Sequence, residues 1–163
     1  MAQERDPLTG LLTWADRSSP ERPLEIAAPW LSPLPPDAAV LVLDLNSFHA
    51  INSTFGHAVC DRILVEVAHR IQRVTGDCPV WRIGEAFVVA TRVSGEHDLQ
   101  RLALALRTAI EEPVDGTSVG LGMGAAIASP GSKYASDLMR KANEAMCSAK
   151  RQRTRELVIA PEA

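Results

Sequence analysis

The chain is poor in aromatic residues: three Trp, one Tyr and three Phe make up 4% of 163 residues. It also lacks a basic excess. The formal charge of −3 argues against general affinity for nucleic acid or an anionic membrane surface. Cysteine is scarce: Cys60, Cys78 and Cys147 are odd in number, far apart and without CxxC spacing. That excludes a disulfide framework and the usual zinc spacing, and it suits idle thiols in a reducing cytosol. No apolar run approaches the roughly 18 residues of a membrane span, and "MAQERDPLTG" has no signal-peptide core. The expectation is a cytoplasmic protein, or a cytoplasmic piece of one, with no membrane insertion and no nucleic-acid partner.

What is present is a 46% hydrophobic chain, long enough for one domain with its own core. "AAVLVLDL" (38–45) is a continuous apolar run ending in an acid, as in a strand buried on both faces. From about Gly56 to Val74, the residues Val59, Ile63, Val67, Ile71 and Val74 step by threes and fours and predict an amphipathic helix. "VWRIGEAFVV" (80–89) reads as a tight hairpin with one glycine and one acid at its tip. Asp98–Glu111 predicts a second helix, with Leu99, Leu102, Leu106 and Ile110 on one side. In "SVGLGMGAAIA" (118–128) glycines interrupt a strand pattern, which implies close approach of something to the backbone. A third helix is predicted over 134–153 and an edge strand over 156–160. Lys150, Arg151, Arg153 and Arg155 bunch near that helix end, facing an anion or simply solvating it. Between Pro20 and Pro36 six prolines exclude a long helix, and Ile26, Trp30, Leu31 and Leu34 are apolar enough to dock.

The element order predicts an α+β fold: a ferredoxin-like, palm-type βαββαβ core with an extra C-terminal helix and edge strand. Residues 1–163 form a single domain in this reading, with the proline-rich segment 18–37 packed on it. In that topology the end of the first strand meets the start of the third, so Asp44 and Glu85 are expected to be neighbours. Two carboxylates held close repel unless a cation sits between them, and Mg²⁺ takes such oxygens together with substrate phosphates. The alternative is two solvated acids that never meet. Asn52 is expected in a loop before the helix, with His57 and Asp61 on its first two turns. An acid and an amide together can read the guanine edge; singly, these residues also suit an Asx turn, a helix-start histidine and a helix-dipole acid.

Taken together, these stretches resemble the GGDEF domain of bacterial diguanylate cyclases. "DPLTGLL" (6–12) is similar to that family's DxLTGLxN motif, and "LVLDLNSFHAINSTFGHAVCDRIL" to its hhhhDhDxFKxIND-hGHxxGDxxL. "VWRIGEAFVV" stands in place of VxRxGGDEFxhh, "GMGAAIA" resembles SIGVA, and "ANEAMCSAK" resembles ADxALYxAK. The resemblance implies that Asp44, the backbone carbonyl of Leu45 and Glu85 bind Mg²⁺. It implies further that Asn52 and Asp61 bind guanine, that His57 lies at the nucleotide and that Lys150 reaches its phosphates. Active members bring two subunits together, each with a GTP, to make cyclic di-GMP.

Departures from the pattern bear on activity. The signature is one residue short, and Ala86 stands where the acid associated with the reacting hydroxyl is expected. Asn46, His49, Ser53, Cys60 and Thr154 replace further family residues. Asp77 stands near the acid of the inhibitory RxxD site, but the arginine position falls on Val74, with Arg73 one residue early. The reading favoured by these residues is a degenerate domain. It binds GTP or cyclic di-GMP, or pairs with itself or another protein, as a regulator with little or no cyclase activity. An active cyclase, with Glu85 catalytic, and a non-binding interaction scaffold are the alternatives.

Overall fold

The structure, a computed structural model, describes residues 4–13, 24 and 28–161. β1 (Ala38–Leu45) is the central strand of a five-stranded sheet. It is followed by α1 (Phe48–Phe55), α2 (His57–Thr75), β2 (Val80–Ile83), β3 (Ala86–Arg92), α3 (Glu96–Glu111), β4 (Leu121–Ile127), α4 (Ala135–Gln152) and β5 (Val158–Ile159). The sheet order is β2-β3-β1-β4-β5. β1 runs antiparallel to both β3 and β4, and β5 adds parallel to β4 at the edge. This is the βαββαβ order with a helix and an edge strand appended, as the sequence predicts.

β1 is apolar up to Asp44 because both of its faces are covered. Ala39, Leu41, Leu43 and Leu45 join a core with Ile63, Val67 and Ile71 of α2 and Leu99, Leu106 and Ile110 of α3. Ala38, Val40 and Val42 join the opposite core with Leu138, Ala142 and Met146 of α4. Asp44 continues this second set and is its first residue to be only partly buried. Leu24, Ala28 and Leu31 are buried in the second core, with Trp30 and Leu34 packed against it; Ile26 lies outside the described residues. Each fully buried leucine of this kind contributes about 2 kcal/mol relative to exposure.

Helix α1 departs from expectation. Asn52, expected in a loop, lies inside α1, and Gly56 at φ +86° separates α1 from α2. The sequence hides this helix because "FHAINSTF" contains few strong helix formers and buries only Phe48 fully, with Ile51 packed beside it. Its last turn is closed by the Gly56 amide, which donates to the Asn52 carbonyl at 2.8 Å.

The glycines of β4 do admit a close neighbour, and it is the protein's own helix. A Cβ on Gly124 would lie 2.0 Å from the Met146 amide nitrogen and 2.5 Å from the Ala142 carbonyl oxygen. The backbone of α4 therefore rests directly on β4. A second device ties α2 to α3. The Arg70 guanidinium donates to the carbonyls of Ala109 at 2.9 Å and Glu112 at 2.5 Å, meeting carbonyls that a helix end leaves without partners. Among the described residues no helix is long and apolar enough to cross a membrane.

The Gly124 contact yields a direct expectation. Gly124→Ala forces backbone apart and should cost about 3 kcal/mol, at the upper end of the range for overpacking. Gly131→Ala, where nothing lies within 4 Å, should be near neutral. Urea midpoints of the two variants measure the difference.

Candidate functional site

The site is built where β1 ends and the β2–β3 hairpin turns. That hairpin has a two-residue connection, Gly84–Glu85. Gly84 takes φ +64° and Glu85 does not take a positive φ, as in a type II′ turn with glycine first. Asp44 is paired across the strands with Ala86. The backbones of Leu45 and Glu85 also adjoin, with the Leu45 amide donating to the Glu85 carbonyl at 3.2 Å. Asp44 and Ala86 face α4 and line a groove of about 400 Å³ with Ile83, Met139, Arg140 and Asn143. The charge of Glu85 is also felt on the other face. Burial pushes the Cys60 thiol up, and the carboxylates of Asp61 and Glu85 add to that effect. The hairpin tip therefore lies within electrostatic reach of the first turns of α2.

Asp44 is held by a cation from α4. The Lys150 ammonium lies 3.0 Å from Asp44 Oδ2 and donates to the Leu45 carbonyl at 3.3 Å. The side chains of both residues are partly exposed, Lys150 31% and Asp44 24%, so the pair is screened and modest in energy. Two hard oxygens on adjacent residues thus converge on one positive charge. That donor set suits Mg²⁺, which accepts one or two carboxylates and takes its remaining ligands from phosphate and water. Among the described residues no group of three His, Cys, Asp or Glu converges as metal ligands. A divalent ion here would depend on its nucleotide for much of its coordination.

The residues expected at the guanine flank the Gly56 elbow: Asn52 in the last turn of α1, and His57 and Asp61 in the first turns of α2. Asn52 Oδ1 is buried and has no hydrogen-bond partner. Asp61 is exposed and lines a cleft of about 530 Å³ whose apolar walls include Leu8, Val65, Pro113 and Val114. Leu8 at this cleft was not singled out from the sequence; its only signal is its place inside "DPLTGLL".

A further connection was also missed. Asp6 accepts from Thr9, at 2.9 Å from the amide and 2.5 Å from the hydroxyl, and from the Arg82 guanidinium at 2.9 Å. Arg82 in turn donates through Nε to the Gly84 carbonyl at 2.7 Å. One guanidinium thereby joins the N-terminal turn to the hairpin tip. Burial opposes ionisation of Asp6, but the hydrogen bonds from Thr9 and Arg82 together outweigh it and hold the carboxyl below its ordinary value.

The βαββαβ order, an acid at the end of the central strand and a glycine–acid hairpin beside it define a palm-type α+β domain. The sequence model of the family described as "Diguanylate cyclase, GGDEF domain" matches residues 3–156. The chain belongs to the GGDEF-domain family. It is 33% identical over 129 residues to the diguanylate cyclase DgcN of Escherichia coli K12, covering 74% of this chain and 31% of that protein. It is 38% identical over 121 residues to an uncharacterized 19.3 kDa protein from the repSA 5′ region of Streptomyces ambofaciens, covering 72% of this chain and 60% of that one. The chain thus spans less than two thirds of either relative. Among solved structures, the isolated GGDEF domain of TpbB (YfiN) from Pseudomonas aeruginosa superposes with a TM-score of 0.82 at 29% identity, covering 97% of this chain and 95% of that one.

The Asp6 connection predicts an acid limb of stability. A depressed carboxyl stabilises the fold above the unfolded value, near pH 4, and that contribution is lost as pH falls through the folded value. Asp6→Asn should remove this part of the acid dependence. Asp6→Ala, which strands Arg82 and Thr9, should lose about 3 kcal/mol at pH 7. Denaturant melts of both variants at pH 3, 5 and 7 check the sign.

Proposed function

We propose that this domain binds a guanine nucleotide, GTP or cyclic di-GMP, and acts in cyclic di-GMP signalling as a regulator with little or no cyclase activity. The observation that carries the reading is Asn52 Oδ1, a buried acceptor without a partner at the elbow that also presents His57 and Asp61. Such an atom is unfavourable until a partner completes it, and a base with N–H donors would do so once the amide turns outward. The ends of α1 support the other half of a nucleotide. α1 starts three residues after Leu45 and no side chain caps its N-terminus, so its first amides are available to a phosphate.

In this reading Asp61 and Asn52 recognise the base, His57 lies against the nucleotide and Lys150 supplies positive charge to its phosphates. Asp44, the Leu45 carbonyl and Glu85 would hold Mg²⁺, which when bound would neutralise phosphate charge. The reduced activity is inferred from Ala86, which gives Asp44 an apolar cross-strand partner, and from a turn with room for only one glycine and one acid. The protein operates in the cytoplasm, as a homodimer or with a protein partner. Active cyclase remains the second reading, favoured by the Asp44 and Leu45 oxygens that already gather a cation and by the E. coli relative named as a diguanylate cyclase.

The test is calorimetric titration of the protein with GTP and with cyclic di-GMP, with and without Mg²⁺, followed by product analysis. Binding by the wild type is expected. Asp61→Ala should weaken it by roughly tenfold or more, the effect of losing a hydrogen bond to a charged group. Cyclic di-GMP formed from GTP would establish the cyclase. Absence of binding to either nucleotide would leave the fold as an interaction scaffold.

A further inference from the structure

Lys150 stands in the place where a cation would bind Asp44. Its ammonium is 3.0 Å from Asp44 Oδ2 and 3.3 Å from the Leu45 carbonyl oxygen. The stem reaches that position over Gly122, the cross-strand partner of Asp44 on β4. A Cβ on Gly122 would lie 2.7 Å from Lys150 Cγ and 3.2 Å from Cε. The missing side chain at Gly122 is therefore the channel through which the lysine reaches the two oxygens. A Mg²⁺ ion coordinated by the same oxygens would sit about 2.1 Å from each. Ammonium and metal then compete for one position, and like charges that close repel strongly at a partly buried site.

We propose that Lys150 is the resident counter-ion of the Asp44–Leu45 oxygen pair, and that a divalent metal enters only by displacing it. Displacement frees the ammonium for another anion, so metal entry and delivery of the lysine to a phosphate are one exchange. The exchange bears on metal binding in two ways. The Asp44 carboxylate is already neutralised by the lysine, which removes the unpaired charge that would otherwise favour metal binding before nucleotide. Metal affinity in the absence of nucleotide is set by the lysine rather than by the number of carboxylates. The inference shares with the proposed function only the assignment of Asp44 and Leu45 as cation-binding oxygens. Its test contains no nucleotide, so failure here and failure of guanine binding are separate results.

The experiment is titration of the nucleotide-free full chain with Mn²⁺, followed by the loss of free Mn²⁺ signal in electron paramagnetic resonance and repeated with Mg²⁺ as competitor. Lys150→Met keeps the stem on Gly122 and removes the charge; it should bind Mn²⁺ at least about tenfold more tightly than the wild type, the change expected from one charged contact. Gly122→Ala retains the lysine but obstructs its stem, and should move affinity in the same direction, which also guards against misfolding of the first variant. Adding Asp44→Asn to Lys150→Met should abolish the gain. Equal Mn²⁺ affinity in wild type, Lys150→Met and Gly122→Ala would overturn the proposal, as would a gain that survives Asp44→Asn. Failure of all three to bind Mn²⁺ would overturn it too, since no cation other than the lysine would then use these oxygens.

Discussion

The site hangs on the contact between the α4 backbone and Gly124. With no side chain there, α4 lies flat on β4, its Met146 amide where a Cβ would otherwise stand. One turn further along the helix, that height brings Lys150 over Gly122 and onto Asp44. A methyl group at Gly124 would raise the helix and carry the ammonium away from the strand end. The packing of the second core and the charge balance of the site are thus set by one close approach, because a close-packed interior transmits displacement instead of absorbing it.

β1 supplies the second constraint. It is paired on both edges and covered on both faces, so its position is fixed by hydrogen bonds to β3 and β4 and by two apolar cores. Functional groups can then be placed only where the strand emerges. Asp44, the Leu45 carbonyl and the sharp turn through Ser47 at φ +56° all lie in that short stretch, and α1 begins at once. The guanine-side residues follow around the Gly56 elbow. The order of the site along the chain follows the exit of one strand from the core.

Much of this was legible in the sequence, for identifiable reasons. β1 was read with its observed limits because a strand buried on both faces needs an unbroken apolar run, and the run stops at an acid. The hairpin strands were legible because a glycine–acid pair between β-branched and aromatic residues has few other uses. α1 is not, since its eight residues show no long apolar stripe, and a loop around Asn52 is what such a stretch predicts. Distant contacts outside the strand pairing are not legible: nothing local to Lys150 announces Asp44, and nothing in "DPLTGLL" announces Arg82. The glycines of β4 were correctly read as admitting a close neighbour. Only the fold could show that the neighbour is the chain's own helix.

The hairpin tip is held from two sides. The Gly84 carbonyl accepts from Arg82 and the Glu85 carbonyl accepts from the Leu45 amide, so both turn carbonyls are engaged by donors of the chain itself. The backbone beneath Glu85 has thereby lost its conformational freedom on folding, before any ligand arrives. A group that engages this carboxylate has only side-chain rotation left to quench. Binding at the tip is accordingly little opposed by entropy, and its strength is decided by the chemistry of the group it meets.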